Sequence, residues 1–159
     1  MTLEIRPLVD ADADGLIAMI SGCFAEYEGV FIDLDDLDQD LLRYETLLSS
    51  MGGCGFVAVD EAGTIVGSVA CAPSGEDTYE LKRLYLSSLL RGTGIGLRLL
   101  HIVEDIAREA GAIAMDAWSD TRFTRAHRFY DREGYVKGPH TRDLNDISNS
   151  SEFYFLKQL

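Results

Sequence analysis

The spacing of apolar positions along the chain switches between alternation, which predicts strands, and helical periodicity, which predicts helices. In the first half it predicts strands over 3–8, 54–59, 64–72 and 78–87 and helices over 11–24 and 35–49. In the second half it predicts two helices: one runs from the glycines of 91–96 to Gly111, and the other is capped by Asp120 or Thr121 and ends at Gly134. It also predicts strands over 112–118, 135–138 and 152–159, and a polar loop over 137–150. A meander of strands followed by strand–helix units indicates one mixed α/β domain over residues 1–159.

The strand predicted over 78–87 changes its parity along its length. Its apolar residues first fall on odd positions, at Tyr79 and Leu81. They then fall on even positions, at Leu84 and Leu86. A regular strand keeps its apolar residues on one parity, so the slip near 82–83 predicts a β-bulge. Such a bulge would leave backbone N–H and C=O groups of this strand unpaired.

A glycine-rich turn, RGTGIG over 91–96, joins this strand to the long helix. Glycine lets backbone amides turn inward, and a helix N-terminus favours an anion, so a phosphate group is the expected ligand. The turn lacks the GxxxxGK[ST] spacing of a P-loop. It also lacks the dinucleotide fingerprint, which would require glycine at Leu97. A tight strand-to-helix turn without a ligand is the simpler alternative.

The net charge of −13 comes from 14 basic and 27 acidic residues. Because phosphate neutralisation needs a basic surface, this balance argues against a nucleic-acid partner. Twelve of the carboxylates, but only two arginines, fall within residues 1–48. Two interpretations of this segment stay open: solvated helix faces and caps, or an acidic rim that attracts a cationic amine.

No apolar run approaches the length of a membrane span, and residues 1–6 lack the basic-then-apolar layout of a signal peptide. We therefore expect a soluble, cytoplasmic protein without a membrane partner. Cys23, Cys54 and Cys71 are odd in number and widely spaced, which predicts free thiols rather than a disulfide framework. The three histidines show no metal-ligand spacing, so no metal is expected.

Three segments together resemble the GNAT superfamily of acyl-CoA-dependent N-acetyltransferases. They are LKRLYL over 81–86, RGTGIG over 91–96 and AHRFYDREGY over 126–135. The first two match the superfamily's strand and its Q/R-x-x-G-x-G/A pyrophosphate loop, and the third is similar to its A-x-x-x-Y-x-x-x-G-F/Y segment. The resemblance extends over nearly the whole chain. It implies a central, mostly antiparallel mixed sheet with a bulged fourth strand, flanked by about four helices.

The resemblance implies a site for acetyl-CoA as cosubstrate. Backbone amides of the glycine turn would hold its pyrophosphate, and the turn comprises Arg91, Gly92, Thr93, Gly94, Ile95 and Gly96. The strand backbone at Leu84, Tyr85 and Leu86 would pair with the pantetheine amides, where the predicted bulge frees polar groups. The resemblance also implies that Ala126, in the third matching segment, binds the cofactor.

The reaction implied by the resemblance is direct attack of an amine on the thioester in a ternary complex. It needs a base for the ammonium proton, a donor to the carbonyl oxygen and an acid for the leaving thiolate. Tyr130 matches the family's acid, and Glu80 stands where many members carry a base. A strand N–H near Leu84 is the candidate donor. As alternatives, Tyr130 would be a core aromatic residue and Glu80 a solvated strand residue.

The acceptor is predicted to be a small-molecule primary amine, cationic or zwitterionic. The residues predicted to shape its site are Glu26, Tyr27 and Phe31. One departure from the family pattern is Phe123, which stands where many members have the asparagine that contacts the pantetheine arm. That contact would come from another residue, such as Ser119 or Thr124.

Other functions remain open at this point. A sensor that binds acetyl-CoA without turnover would keep the glycine turn but would not need Glu80 or Tyr130. An enzyme acting on a protein lysine or N-terminus would share the same donor site. A nucleotide-binding regulator would bind ATP or NAD in competition with CoA. A homodimer through the last strand or the 138–150 loop is a further hypothesis.

Overall fold

A computed structural model describes residues 2–159, so Met1, which the predicted domain includes, lies outside the described residues. The strands are β1 (Glu4–Pro7), β2 (Cys54–Val59), β3 (Ile65–Pro73), β4 (Thr78–Leu86), β5 (Ala114–Asp120), β6 (Val136–Asp143) and β7 (Ser151–Gln158). The helices are α1 (Ala13–Phe24), α2 (Tyr44–Ser50), α3 (Ile95–Glu109) and α4 (Thr124–Arg132). No helix within residues 2–159 is long and apolar enough to cross a membrane.

The strands form one seven-stranded sheet in the order β1-β2-β3-β4-β5-β7-β6. β4 and β5 run parallel, and every other neighbouring pair is antiparallel. The predicted fold class, a mostly antiparallel mixed sheet flanked by four helices, is therefore confirmed. β7 has strand partners on both sides, so it offers no free edge to a second copy of the chain.

Apolar side chains pack into two clusters on opposite faces of the sheet. Neighbouring residues of β2 alternate between them: Val57 belongs to the cluster with α1 and α2, and Ala58 to the cluster with α3. On the α3 face, Leu99 and Val103 are fully buried. Both faces of the sheet's middle strands are thus covered, as the uninterrupted burial from Ile65 to Ala72 on β3 requires.

The predicted bulge near 82–83 is present in β4. Ser68 of β3 lies opposite Tyr85, but Ala70 lies opposite Lys82, so β4 carries one extra residue between these pairs. Arg83, in the bulge, has a positive φ of 52°, which is unusual for a residue other than glycine. The Ser68 hydroxyl donates a hydrogen bond of 2.7 Å to the Arg83 carbonyl and holds the bulge in place.

Beyond the bulge, β4 separates from its parallel neighbour. β4 and β5 pair only from Thr78 opposite Ala114 to Leu81 opposite Ala117. β5 continues for three more residues, paired on its other side with β7 up to Asp120 opposite Glu152. A gap therefore opens in the middle of the sheet, next to the second half of β4.

The helix predicted over 35–49 is wrong for its first half. Residues 34–38 form turns, a 3-10 helix spans Gln39–Arg43, and only Tyr44–Ser50 is α-helical. Side-chain hydrogen bonds compete with the helix here: Asp38 accepts from the Asp33 amide at 2.7 Å, and Asp40 binds Arg83. Helical periodicity could not reveal these tertiary partners.

The polar loop predicted over 137–150 is also wrong in part, because β6 extends to Asp143. β6 is an edge strand and is exposed along almost its whole length, so its residues show no apolar alternation. The strand predicted over 112–118 runs instead from Ala114 to Asp120. The structure thus lengthens β6 and shifts β5 by two residues along the chain.

A buried ion pair joins α3 to the last strand. Glu104 is 1% exposed, and its Oε2 atom accepts hydrogen bonds of 2.8 Å from both the Tyr135 hydroxyl and Lys157 Nζ. Burial of a carboxylate is tolerated only when such partners compensate its lost hydration. This trio fixes the last strand against the helix that follows the glycine turn.

We expect Lys157→Met to destabilise the fold by about 3–5 kcal/mol, because it leaves the buried Glu104 charge without its cation. Lys137→Met is the matched control: it removes an exposed lysine that lies 4.2 Å over the Phe153 ring, worth about 0.5–1 kcal/mol. Urea unfolding of both variants measures the difference. Equal losses in the two variants would show that the buried pair is not a major source of stability.

Candidate active site

The gap between β4 and β5 opens into a cavity of about 1040 Å³. Its walls come from the segment between α1 and β2, the second half of β4, the glycine turn, α4 and the 142–152 segment. The cavity is large enough for an extended cofactor together with a second small molecule. Of the residues that the sequence singled out for the site, all but Thr93, Ile95 and Thr124 border it.

On one side of the cavity the glycine turn presents backbone amides. Gly92 and Gly94 have positive φ angles of 77° and 84°, the left-handed conformation that favours glycine. The first helical hydrogen bond is donated by the Arg98 amide to the Gly94 carbonyl, at 3.1 Å. The amides of Gly94, Ile95 and Gly96 donate to no backbone group within residues 2–159. This helix start can therefore receive an anion.

The Arg91 side chain does not reach into open space but binds Glu26. Arg91 donates to both carboxylate oxygens of Glu26, at 2.7 Å to Oε1 and also to Oε2. Arg125 lies 3.7 Å from the same carboxylate. The hydrogen bonds from Arg91 lower the pKa of Glu26. One predicted acceptor residue thus pairs with one predicted phosphate-binding residue, and the role of Glu26 stays a prediction.

The second half of β4 forms the floor of the cavity. Leu84, Tyr85 and Leu86 are half-buried and border the cavity. Their antiparallel partners on β3 occupy one edge of the strand, whereas the edge that faces β5 has no strand partner among residues 2–159. A ligand with amide groups can hydrogen-bond to such an open edge as an additional strand would.

Tyr130 lies at the inner end of the cavity with its ring in the core. It is 7% exposed and packs against Tyr135 and Phe155, with ring centroids 5.5 and 5.3 Å apart. Its hydroxyl makes no hydrogen bond within the part of the chain that the structure describes. Burial, followed by the nearby Tyr85, raises the pKa of Tyr130 above its ordinary value, so the phenol keeps its proton. Ala126 borders the cavity one helical turn earlier.

Aromatic side chains form part of the opposite wall. Phe123 packs against Tyr27 and Phe24, with ring centroids 4.9 and 5.9 Å apart. Phe31 borders the same cavity and is 59% exposed. Phe123, which stands where asparagine was expected, therefore belongs to an apolar wall and offers no hydrogen bond to a ligand.

Arg83 is a site residue that the sequence did not single out. It donates to Asp38 at 2.9 Å and to Asp40 at 2.7 Å, and its side chain is 15% exposed. These bonds tie the 3-10 segment of the cavity wall to the bulge of β4. The parity slip predicted the bulge but carried no information about the direction of this side chain.

Glu80 and Lys82 form an ion pair of 3.3 Å on the floor of the cavity, before the bulge. Two further carboxylates, which the sequence did not indicate, lie across the gap. Asp120 is 6% exposed: burial alone would raise its pKa, but hydrogen bonds from Arg122 outweigh this effect and lower it. Glu152 of β7 is the strand partner of Asp120 of β5, and its carboxylate lies 2.7 Å from Arg142. Alternate residues of a strand lie on one face of the sheet, so Glu152 shares a face with Tyr154 and Leu156. This alternation was the sequence pattern from which Glu152 could have been identified.

Within residues 2–159, no three His, Cys, Asp or Glu side chains are grouped so that they could hold a metal ion. Cys23, Cys54 and Cys71 are free thiols. The polar groups that border the cavity include backbone amides, a tyrosine, and paired carboxylates and arginines.

Comparison with known proteins identifies the family. The model of the Acetyltransferase (GNAT) family matches residues 17–135 of this chain, and the chain therefore belongs to that family. A curated relative, an IAA acetyltransferase of Azospirillum brasilense, is 35% identical over 86 residues, covering 53% of this chain and 56% of the relative. The chain thus matches only about half the length of that relative.

Solved structures share the fold over the full length. A GNAT-family acetyltransferase from Staphylococcus aureus Mu50 superposes with a TM-score of 0.86 at 20% identity, covering 99% of both chains. The PaiA N-acetyltransferase of Thermoplasma acidophilum, solved in complex with coenzyme A, superposes with a TM-score of 0.75 at 21% identity, covering 100% of both chains. At this level of identity the likeness concerns the fold.

We expect Arg83→Ala to lower stability by about 3–5 kcal/mol, because it leaves the Asp38 and Asp40 charges without their buried cation. For a chain of this size this corresponds to a fall in Tm of roughly 10 °C. Arg108→Ala is the control, since Arg108 is exposed and pairs only with Asp105 on the same helix face. Differential scanning calorimetry compares the two, and a similar small shift in both would contradict the proposed anchoring role of Arg83.

Proposed function

We propose that this chain is an N-acetyltransferase that moves the acetyl group of acetyl-CoA to a primary amine of a small molecule, in one domain over residues 1–159. The observation that carries the proposal is the meeting of three features at one cavity. These are the unpaired amides at the start of α3, the open edge of β4 after the bulge, and the hydroxyl-bearing end of Tyr130.

The donor half follows from the shape and charge of acetyl-CoA. Its pyrophosphate would accept hydrogen bonds from the unpaired amides of Gly94, Ile95 and Gly96, aided by the positive end of the α3 dipole. Its pantetheine amides would pair with the open edge of β4 at Leu84–Leu86. The thioester would then lie at the start of this open edge, beside the bulge and near Leu84. Family membership and the coenzyme A bound by the PaiA relative support this assignment.

The transfer itself is a direct attack in a ternary complex. The amine nitrogen attacks the thioester carbon, the carbonyl oxygen gains charge, and the C–S bond breaks as the tetrahedral species collapses. An N–H of β4 near Leu84 would stabilise the oxygen. Tyr130, kept protonated by its buried position, would give its proton to the leaving sulfur. A carboxylate on the acceptor side must take the ammonium proton, and Glu80 is the candidate that the resemblance supplies.

The charge pattern of the cavity supports a small acceptor that is itself nearly balanced in charge. The carboxylates Glu26, Asp38 and Asp40, all from the acidic first third, are paired with Arg91 and Arg83. They do not form a free acidic rim for a polycationic peptide. A zwitterionic amine would meet alternating carboxylates and arginines, with the aromatic wall of Tyr27, Phe31 and Phe123 covering its apolar part.

We expect purified protein to release thiol from acetyl-CoA when a suitable amine from a panel of zwitterionic and cationic amines is added. Tyr130→Phe should then lower kcat by about 100-fold, because the leaving thiolate loses its acid, while acetyl-CoA affinity stays within about twofold. Tyr154→Phe is the control, because its hydroxyl binds Asp116 away from the cavity.

The competing functions give different results in the same assay. A sensor would bind acetyl-CoA but release no thiol with any amine of the panel. A nucleotide-binding regulator would be stabilised in thermal-shift measurements by ATP or NAD rather than by CoA. Either pattern would contradict the enzymatic function.

The donor half can be tested without an acceptor. Gly94→Ala should reduce CoA affinity roughly tenfold, because the new side chain disfavours the left-handed turn that aims the amides. Gly111→Ala is a matched control: Gly111 also has a positive φ, of 90°, and a Cβ there also meets no atom within 4 Å. Both variants should lose about 1–2 kcal/mol of stability. Isothermal titration with CoA separates them, and equal affinities would place the pyrophosphate elsewhere.

A further inference from the structure

Most carboxylates that border the cavity already have both oxygens occupied. Glu26 is held by Arg91, and Asp120 by Arg122. Asp38 accepts from the Asp33 amide and Arg83, Asp40 accepts twice from Arg83, and Asp146 accepts from the amide and hydroxyl of Ser150. Groups bound in this way have no free oxygen to receive a proton. Glu133 also borders the cavity, but it lies at the end of α4, 3.9 Å from His101 of α3 and thus beside the helix of the glycine turn. Glu80 and Glu152 remain on the acceptor side.

Glu80 lies on the closed side of the gap. It is opposite Asp116, within the segment where β4 and β5 still pair. Its partner Lys82 also precedes the bulge. A residue in the paired part of the sheet is set back from the open edge, which the thioester would meet near Leu84.

Along the strand direction, Glu152 is level with the open edge of β4. The last pair of β4 and β5 is Leu81 opposite Ala117, and Asp120 lies three residues further along β5. Glu152 is the antiparallel partner of Asp120, so it is level with the stretch of β4 that begins near Leu84. It borders the cavity, and its side chain is 17% exposed.

The hydrogen bonds of Glu152 leave one oxygen available. Arg142 donates to Oε1 through Nε at 2.8 Å and lies 2.7 Å from it through a terminal nitrogen. Oε2 has no hydrogen-bond partner within residues 2–159 and is not sealed from the cavity. The Arg142 guanidinium lies 4.0 Å over the ring of Trp118, which fixes the arginine and, through it, the orientation of the carboxylate.

The surroundings of Glu152 make its carboxylate more basic than usual. Burial raises the pKa of Glu152, and the carboxylates Asp120 on β5 and Glu80 on β4 raise it further. The hydrogen bond and charge of Arg142 on β6 act in the opposite direction but do not cancel the rise. A general base is most effective when its pKa approaches the working pH.

We propose that Glu152, rather than Glu80, is the general base of the acetyl transfer, with Arg142 as the residue that positions it. The inference rests on the proposed function. Glu152 Oε2 takes one proton from the ammonium group of the acceptor, and the freed lone pair attacks the thioester carbon. The C–S bond breaks, the nitrogen releases its second proton to solvent, and the sulfur takes a proton from Tyr130, so the products are the N-acetyl amine and CoA. Glu152 then gives its proton to solvent, and Tyr130 regains one.

The test compares four variants in the thiol-release assay with an accepted amine. Glu152→Gln should lower kcat by about 100-fold or more at neutral pH, with unchanged acetyl-CoA affinity. In the wild type, kcat should rise at low pH as Glu152 loses its proton. In Glu152→Gln that rise should be absent, and activity should increase with pH only as the amine substrate itself loses its proton. Glu80→Gln removes a charge that raises the pKa of Glu152, so it should lower kcat at least about tenfold less than Glu152→Gln does, and its activity should still depend on the ionisation of Glu152. Glu109→Gln, at the exposed end of α3, is the control for substitution alone.

Glu152→Asp covers the case in which the glutamine variant does not fold. It keeps a negative charge beside Arg142, but its shorter side chain moves the carboxylate oxygen away from the acceptor. We therefore expect kcat to fall roughly tenfold, while the rise of kcat with ionisation of the carboxylate at low pH remains. Circular dichroism verifies the fold of each variant. If Glu152→Gln keeps the wild-type kcat, or Glu80→Gln loses as much as Glu152→Gln, Glu152 is not the base, although acetyl transfer itself stands. If the wild type acetylates no amine, the proposed function fails, and the role of Glu152 fails with it.

Discussion

The arrangement of the site depends on one interruption in backbone hydrogen bonding, the separation of β4 from β5 after Leu81. A strand edge without a partner is costly inside a sheet, because its N–H and C=O groups must find other partners. In this fold the unpaired edge lies where the glycine turn, the aromatic wall and Tyr130 surround it. The bulge at Arg83 makes the separation possible, since it adds one residue to β4 without disturbing its pairing with β3 on either side.

Arg83 has two functions that are usually divided between different residues. Its backbone adopts the left-handed conformation of the bulge, and its side chain binds the carboxylates of the 3-10 segment. The irregular segment that replaces the predicted second helix is therefore held against the strand that forms the cavity floor. The same residue that opens the sheet also closes one side of the resulting cavity.

The sequence allowed most strands, three helices and half of the fourth, the bulge and the glycine turn to be predicted, because each leaves a local pattern of parity, periodicity or glycine spacing. The mostly antiparallel arrangement of the sheet was implied by the family resemblance. It did not reveal the Glu26–Arg91 pair or the Arg83 anchor, since these join residues 65 and 43–45 positions apart. Nor did it indicate Glu152, whose place beside the gap follows from its register opposite Asp120. β6 was missed in part because an exposed edge strand has no apolar face to give it a pattern.

That edge strand has a consequence for how the protein behaves at high concentration. Unpaired edges of sheets can template the addition of strands from other molecules and so begin aggregation. In β6 the register is interrupted between Lys137 and Thr141, Pro139 supplies no N–H, and Lys137 and Arg142 place charge along the strand. The outer end of the sheet is thus a poor template for another chain. The unpaired edge of β4 lies instead inside the cavity, where the glycine turn, the aromatic wall and α4 surround it and shield it from the edge of another sheet.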